Sequence, residues 1–269
     1  MTSPELGGSH AALASPMPAE AIVAVLGARG RMGATVCEAI AAAPDLILGA
    51  ALDVGDALGG LLGADVCVVF TAAGQADEGL AFCAANGISA VIGTTGFDAA
   101  ARAKLAADFA GPAHGKPNAA LVPNFAIGAV LLMRLAALAA PHFETAEIIE
   151  SHHEHKVDAP SGTAMATATA MAAARRAAGV GSCTADPTTR HVLEGSRGAE
   201  AEAGIRVHAV RMRGMVASQE VVLGTEGQWL TLRHDTSSRA SFMPGVLLAV
   251  RKVVDTPGFT FGLEPFLGL

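Results

Sequence analysis

A glycine-rich turn near the start of the chain restricts the possible folds more than any other sequence feature. In AIVAVLGARGRMGATVCEAI an apolar run, Ile22 to Leu26, leads into Gly27, Gly30 and Gly33, and helix-favouring residues then continue to Pro44. A strand, a glycine turn and a helix in this order begin a dinucleotide-binding fold, whose glycines allow a tight turn and a close approach to a pyrophosphate. The spacing here is G-x-x-G-x-x-G, and taken alone it is equally compatible with a plain connection between a strand and a helix.

Strands and helices continue to alternate after this turn. A helix is predicted at Gly79–Gly87 because it ends in a glycine stop. Further strands are predicted at four apolar segments, namely Leu46–Asp53, Asp65–Ala73, Ile88–Gly96 and Ala119–Phe125. The alternation predicts an α/β fold with a Rossmann-like, doubly wound parallel sheet, which binds ligands at the carboxyl ends of its strands.

From about residue 126 the pattern changes. Helices are predicted at 126–140, 163–178 and 241–255. Between the last two lie three predicted strands, GIRVHAVRMRG, MVASQEVVLGTEGQ and WLTLRHDT. This order favours a second α+β domain with a mixed or antiparallel sheet.

The predicted domain boundaries follow from these elements. Residues 1–20 are predicted to be a mobile tail, because they are rich in Pro, Ser, Gly and Ala and lack the basic and apolar regions of a secretion signal. The last helix is predicted to return to the first domain, so the dinucleotide-binding domain is predicted at 21–125 plus 240–269. The second domain is then predicted at 126–239.

An acidic residue ends the second predicted strand. Asp53 lies about 20 residues beyond the last glycine, where an acid accepts a hydrogen bond from the adenosine ribose; a solvated loop acid is the alternative. Such an acid favours NAD, whereas Arg29 and Arg31 in the glycine turn can approach the 2'-phosphate of NADP. NADH and NADPH are both candidate cofactors.

The segment SHHEHKVDAPSGTA contains a cluster of nitrogen bases beside a turn of small residues. Zinc is disfavoured because His152 and His153, adjacent on a strand, point to opposite faces, so no metal site is predicted. A polar loop with incidental histidines is one alternative. Lys156 and a helix starting at PSGT favour a carboxylate site, and a histidine is a common proton donor near neutral pH. Glu154 would raise the pKa of a neighbouring imidazolium if it lay close and buried.

Composition excludes several classes of partner. A net charge of −7 without a basic cluster argues against nucleic acid and anionic membranes. The apolar segment 126–140 contains Arg134 and is too short to span a bilayer. Free thiols in a reducing cytoplasm are predicted for the four cysteines, which have no CxxC spacing: Cys37, Cys67, Cys83 and Cys183.

Several segments together resemble one enzyme family. GARGRMG, GTTGF, VPNFAIGAVLL, EIIESHHEHKVDAPSGTA and RHDTSSRASFMPGVLLAVR are similar to 4-hydroxy-tetrahydrodipicolinate reductases, also called dihydrodipicolinate reductases, in their short actinobacterial form. The resemblance covers about residues 21–267. It implies NAD(P)H-dependent reduction of 4-hydroxy-tetrahydrodipicolinate, via dihydrodipicolinate, to tetrahydrodipicolinate in lysine and diaminopimelate biosynthesis. It also implies a cytoplasmic homotetramer whose second domain binds the substrate and forms the oligomer.

Two other functions remain open at this point. One is that of another nicotinamide-dependent amino-acid or imino-acid dehydrogenase, and the other is that of a non-catalytic NAD(P)-sensing protein of the same fold. Turnover of the cyclic imine separates both from the reductase.

The resemblance also implies roles for individual residues. His152 is the implied proton donor, and Lys156 is the implied partner donor and carboxylate contact. Implied substrate contacts are His153, Ser161, Gly162, Thr163 and Arg239, the last of which contacts either the substrate or the domain interface. Implied cofactor contacts are Gly27, Ala28, Arg29, Gly30, Arg31, Met32, Gly33, Asp53, Gly93, Thr94, Thr95, Val122, Pro123, Asn124 and Phe125.

Overall fold

The computed structural model describes residues 20–72 and 74–269 of the chain. The predicted mobile tail, residues 1–20, lies outside these residues except for Glu20. The strands of the described chain are β1 (Ala21–Leu26), β2 (Leu46–Leu52), β3 (Val66–Val69), β4 (Ser89–Ile92), β5 (Ala119–Leu121), β6 (Thr145–His152), β7 (Ala199–Glu200), β8 (Arg206–Arg211), β9 (Ala217–Thr225), β10 (Gln228–Thr236) and β11 (Phe259–Phe261). The α-helices are α1 (Arg31–Ala42), α2 (Asp77–Ala85), α3 (Ala99–Asp108), α4 (Ile127–Ala139), α5 (Gly162–Ala177), α6 (Met243–Val253) and α7 (Glu264–Leu267).

Six strands form the first sheet in the order β11-β5-β4-β3-β1-β2. β1 pairs in parallel with β2 and with β3, and β3 pairs in parallel with β4. All four residues of β3 are buried, as are those of β4, because helices cover both faces of a parallel sheet. The prediction of a Rossmann-like parallel sheet is confirmed.

The second sheet is mixed and has the strand order β10-β9-β6-β8-β7. β6 pairs in parallel with β8 and antiparallel with β9, which in turn pairs antiparallel with β10. Ile148 of β6 and Val221 of β9 are paired and fully buried, in the same core cluster as Ala168 and Met171 of α5. Since side chains alternate along a strand, Glu150 and His152 lie on the same face of β6 as Ile148. The prediction of a second domain with a mixed sheet is also confirmed.

Helix ends agree with local sequence signals. α1 ends at Ala42, ahead of Pro44, and the Ser161 hydroxyl caps α5 by accepting a hydrogen bond from the Ala164 N–H at 3.2 Å. α3 was not predicted, although the Asp98 carboxylate caps it by accepting from the Ala101 N–H at 2.8 Å. None of the helices in the described chain is both long and apolar enough to cross a membrane.

Contacts divide the described chain into two compact units. The first contains the described residues up to Ala120 and Val250–Thr260, and the second contains Leu121–Ala249 and Phe261–Leu269. The first unit therefore contains β1 to β4, and the second contains the mixed sheet. The domain boundaries drawn at residues 125 and 240 stay a prediction, and the structural division counts residues 121–125, 240–249 and 261–269 with the second unit.

Candidate active site

Two glycines of the first turn occupy positions that no other residue fits. Gly27 has a φ of +91°, and a Cβ there would overlap the carbonyl oxygen of Phe70. A Cβ on Gly33 would overlap the backbone of Gly27, since α1 passes directly over the turn. The turn after β1 therefore has the close backbone packing that a dinucleotide-binding turn requires.

The start of α1 offers hydrogen-bond donors to an anion. Gly30 is the N-cap residue and supplies no side-chain cap, so the first-turn N–H groups of Arg31, Met32 and Gly33 have no capping side chain. Such a helix N-terminus suits a diphosphate. The residues of this turn thus fit a dinucleotide.

Asp53 directly follows β2 and is held in its ionised form. Its carboxylate accepts hydrogen bonds from the N–H groups of Val54 and Arg29, both at 2.9 Å, and these bonds lower the pKa of Asp53. The Arg29 guanidinium donates to Asp56 at 3.2 Å and lies 3.7 Å from Asp53. Sequence reasoning missed Asp56, although its position three residues after Asp53 is typical of a turn in which a carboxylate accepts from the backbone.

The carboxyl ends of β3 and β4 meet at two threonines. The Thr94 hydroxyl accepts from the Thr71 N–H at 3.1 Å and lies 3.2 Å from the Thr71 carbonyl oxygen. A Cβ on Gly93 would overlap the ring of Phe70, the same residue that borders Gly27. The first unit therefore brings together Gly27, Gly93 and Thr94, while the side chain of Thr95 is exposed.

In the second unit, a buried carboxylate lies behind the predicted proton donor. Glu150 has no exposed surface, and its Oε2 lies 2.6 Å from Nδ1 of His152. Arg211 of β8 donates to both oxygens of this carboxylate, at 2.8 and 2.9 Å. The N–H of Ser161 donates to Oε1 at 3.0 Å. One carboxylate thus contacts both the histidine and the start of α5.

The pKa values of this pair move in the same direction for different reasons. Burial alone would raise the pKa of Glu150, but the hydrogen bonds from Arg211 and His152 outweigh it and hold that pKa below its usual value. Burial lowers the pKa of His152, and the nearby charges of Lys156 and Arg211 add to this, against the opposing effect of Glu150. With its pKa below the usual value, His152 is mainly neutral near pH 7.

The loop after β6 holds the other residues of the histidine cluster. Nζ of Lys156 donates to both oxygens of Asp158, at 2.8 and 2.9 Å, and this bond lowers the pKa of Asp158. Glu154 accepts from Nε of Arg213 at 2.7 Å and is exposed. The carboxylate beside His152 is therefore Glu150, whereas Glu154 pairs with Arg213.

A cavity of about 210 Å³ lies within the second unit. The Asn124 side chain donates to the Thr163 hydroxyl at 3.4 Å and accepts from the Ala126 N–H at 2.9 Å, which holds the β5–α4 turn at the cavity wall. The lining residues that the sequence predicted are Pro123, Asn124, His152, Ser161 and Thr163. The lining residues that it missed are Ala126, Ala129, Ala217, Ser218, Gln219, His234, Thr236 and Phe242.

Other predicted residues do not line this cavity. Lys156, His153 and Gly162 lie in the adjoining loop and at the first residue of α5. Arg239 is exposed, in a short 3-10 helix from which Phe242 reaches the cavity instead. Val122 and Phe125 are buried in the core and belong, with Pro123 and Asn124, to the second unit.

Two polar residues that the sequence did not predict, Gln219 and His234, are neighbours on adjacent strands of the mixed sheet. Gln219 of β9 pairs with Glu150 on one side and with His234 of β10 on the other, so all three share a face. Nε2 of Gln219 donates to the Thr167 hydroxyl at 2.8 Å, and its buried Oε1 has no hydrogen-bond partner in the described chain. Burial lowers the pKa of His234. The only sequence signal for these residues was their alternation along a strand, which leaves the facing strand unknown.

In the part of the chain that the structure describes, no three His, Cys, Asp or Glu side chains form a group that could hold a metal ion. The chemistry available in the cavity is that of two imidazoles, hydroxyls, amides and a helix N-terminus.

Models of one protein family match most of the chain. Residues 21–115 match the model described as the N-terminus of dihydrodipicolinate reductase, and residues 128–267 match the model described as its C-terminus.

Curated relatives and a solved structure are similar over nearly their full lengths. The 4-hydroxy-tetrahydrodipicolinate reductase of Streptomyces coelicolor is 51% identical over 250 residues, which cover 92% of this chain and 98% of the relative. That of Nocardia farcinica is 52% identical over 253 residues, with the same coverage. The dipicolinate-bound dihydrodipicolinate reductase from Paenisporosarcina is 35% identical, with a TM-score of 0.81 over 91% of this chain and 99% of that one.

Proposed function

The chain belongs to the dihydrodipicolinate reductase family, and on that basis we propose that it reduces 4-hydroxy-tetrahydrodipicolinate, via dihydrodipicolinate, to tetrahydrodipicolinate. The reaction uses a nicotinamide cofactor and belongs to lysine and diaminopimelate biosynthesis. The observation that carries the proposal is the single cavity wall formed by His152, Ser161 and Thr163, which combines a proton-transfer group with donors for a carboxylate.

The first unit holds the cofactor. Gly27, Gly30 and Gly33 allow the diphosphate to approach the start of α1, and Asp53 accepts from the adenosine ribose. When bound, the reduced cofactor supplies the reducing equivalent. Arg29 and Arg31 are exposed and fit a 2'-phosphate, so both NADH and NADPH serve as cofactors in this proposal.

The second unit binds the substrate and provides the proton. Thr163 and the N–H groups at the start of α5 bind one substrate carboxylate. Lys156 releases Asp158 and binds the second substrate carboxylate. The negative charge of a bound dicarboxylate favours protonation of His152. Because Nδ1 of His152 is bonded to Glu150, the proton leaves from Nε2, toward the ring carbon beside the one that is reduced.

The remaining members of the predicted site have supporting roles in this proposal. His153 and Gly162 contact the substrate, as does Arg239 once a ligand is bound. The protein acts in the cytoplasm as a homotetramer. No nucleic acid, membrane or metal takes part.

A coupled assay tests the function. The cyclic substrate is generated from pyruvate and aspartate semialdehyde, and the oxidation of NADH and of NADPH is followed separately. We expect oxidation that depends on the cyclic substrate. Cofactor binding without oxidation would favour the non-catalytic sensor, and turnover of amino acids instead would favour another dehydrogenase.

A single variant tests the proton donor. His152→Gln removes the titrating group but keeps a polar side chain, so we expect a loss of kcat of about 100-fold or more, since general acid catalysis contributes ~10²–10⁴. NADH binding, measured by fluorescence, should stay within a factor of two. A variant with wild-type kcat would show that His152 is not the donor.

A further inference from the structure

Glu150 is the one fully buried carboxylate in the described residues, and it lies directly behind the proposed proton donor. Four donors surround it: Nδ1 of His152, two nitrogens of Arg211 and the N–H of Ser161. A buried carboxylate with this number of donors is ionised, and an ionised carboxylate can only accept hydrogen bonds.

This environment determines where His152 carries its protons. Since Glu150 can only accept, Nδ1 of His152 must carry a hydrogen in both the neutral and the charged ring. The neutral ring then has no hydrogen on Nε2 and cannot donate there. His152 donates from Nε2 only as an imidazolium, and the 2.6 Å contact with a negative carboxylate stabilises that form.

The same carboxylate also contacts Ser161, which lines the cavity just before α5. The Ser161 N–H donates to Oε1 of Glu150, while the Ser161 hydroxyl caps α5 at the Ala164 N–H. The distance between His152 and the start of α5 is therefore set through one side chain. Arg211 also donates to the carbonyl oxygen of Asp158 at 2.6 Å. This bond holds the loop that connects β6, which carries His152, to α5.

We propose that Glu150, held by Arg211, is a positioning residue that fixes the tautomer of His152, stabilises its imidazolium and joins it to the carboxylate-binding start of α5. This inference rests on the proposed function, which it deepens. Glu150 itself does not line the cavity.

The charged groups around His152 have opposite effects on its protonation. Arg211 from β8 and Lys156 from the loop after β6 both oppose the imidazolium, and His234 from β10 lines the same cavity. Glu150 is the only one of these groups that favours protonation. Replacing it with a neutral residue of the same size should therefore shift the protonation of His152 to lower pH.

The chain offers a matched control on the same strand. Glu147 of β6 accepts from Arg197 at 2.5 Å and from Nε2 of His208 at 2.8 Å, so it also pairs with one arginine and one histidine. Glu147 is three positions before Glu150 on the strand, so its side chain lies on the opposite face of the sheet. Glu147→Gln removes a comparable carboxylate without touching the His152 environment.

The kinetic experiment compares Glu150→Gln with Glu147→Gln in the coupled assay between pH 5.5 and 9. For Glu150→Gln we expect kcat at pH 7.5 to fall at least about 10-fold, with the descending limb of the pH profile at lower pH and partial recovery of activity there. The KM for NADH should stay within a factor of two. Glu147→Gln should behave like wild type, whereas an unchanged pH profile for Glu150→Gln would overturn the proposal.

A second measurement needs neither turnover nor a folded Glu150 variant. ¹⁵N–¹H spectra of the wild-type protein, with His152 assigned by comparison with His152→Gln, report its tautomer. We expect the Nδ1–H tautomer above the pKa of His152, and an Nε2–H tautomer would overturn the proposal. If the coupled assay instead failed for the wild type, the proposed function would fall while this measurement still tested the Glu150–His152 contact.

Discussion

Gly27 and Gly63 have nearly the same φ angle in different surroundings. Their φ angles are +91° and +89°, a region that strains any residue with a Cβ. A Cβ on Gly27 would overlap the Phe70 carbonyl oxygen, whereas one on Gly63 would have nothing within 4 Å. Comparing the two glycines therefore distinguishes the cost of backbone strain, which both share, from the cost of a steric clash, which only Gly27 has.

Gly27→Ala should therefore cost more than Gly63→Ala. For Gly63→Ala we expect a loss of about 1 kcal/mol in the free energy of unfolding, from φ strain alone. Gly27→Ala should lose about 1–3 kcal/mol more, because the clash displaces the turn, and should weaken NADH binding. Urea unfolding and NADH fluorescence titration measure both effects, and equal losses in the two variants would contradict the steric explanation.

Among the elements, the turn after β2 controls how far Arg29 is available to a ligand. The Asp56 carboxylate accepts from the Arg29 guanidinium and from the Asp53 N–H, at 3.2 and 2.8 Å. In the proposed cofactor site, a 2'-phosphate would compete with Asp56 for this arginine. The turn thus bears on the choice between NADH and NADPH.

Asp56→Asn should favour NADPH. An exposed ion pair is worth up to ~1 kcal/mol, so we expect kcat/KM for NADPH relative to NADH to rise by about 2- to 5-fold. Asparagine can still accept from the Asp53 N–H, which preserves the turn. The same substitution in an Arg29→Ala background should have no effect on this ratio, and an equal shift there would rule out Arg29 as the cause.

The segment that leads from α5 to β8 is anchored by another carboxylate. Asp186 accepts from the N–H and hydroxyl of Thr188 at 3.0 and 2.7 Å, and it pairs with Arg197 at 3.1 Å and Arg206 at 3.3 Å. The hydrogen bonds from Thr188, followed by the contact with Arg197, lower the pKa of Asp186 from 3.8 to about 2. The segment is therefore held through an ionised side chain.

The stability of this anchor should depend on pH in the acid range. Because the folded pKa lies below the unfolded one, the stabilisation is present above about pH 4 and is lost as pH falls toward 2. We expect the free energy of unfolding of Asp186→Asn to fall less steeply than that of wild type between pH 4.5 and 2.5. Urea unfolding at several pH values measures this, and parallel curves would contradict it.

For the whole molecule, exposed apolar side chains of the second unit are candidate contacts in the proposed homotetramer. Trp229 on the edge strand β10 is 77% exposed, and Val192 and Leu193 are exposed as well. Edge strands and large exposed apolar side chains are common at interfaces between subunits. These features support the homotetramer of the proposal.

Sedimentation tests the assembly directly. We expect a particle of four times the 26.9 kDa chain at micromolar concentration. Trp229 is the only tryptophan, so its emission should shift to longer wavelength if dilution exposes it. A monomer at all concentrations would contradict the homotetramer.

The fold was predicted from the sequence where local pattern was strong. Apolar runs of three residues or more predicted β1 to β4, because the strands of a parallel sheet need mostly apolar sequence. The two-residue β7 and the three-residue β11 are too short to leave a pattern. The helix α3 was missed because its alanine-rich sequence has no clear apolar stripe.

The sequence alone determined which residue types stand beside one another. The spacing of Gly27, Gly30 and Gly33 and the order of His152 and Ser161 are local, and a strand end or a helix start follows from a few neighbouring residues. The tertiary structure decided which partners these residues have. Arg211 reaches Glu150 across 61 residues because β6 pairs with β8 in a register that places His152 opposite Arg211. Strand pairing is set by the packing of the whole sheet, so the arginine that holds Glu150 became visible only in the folded chain.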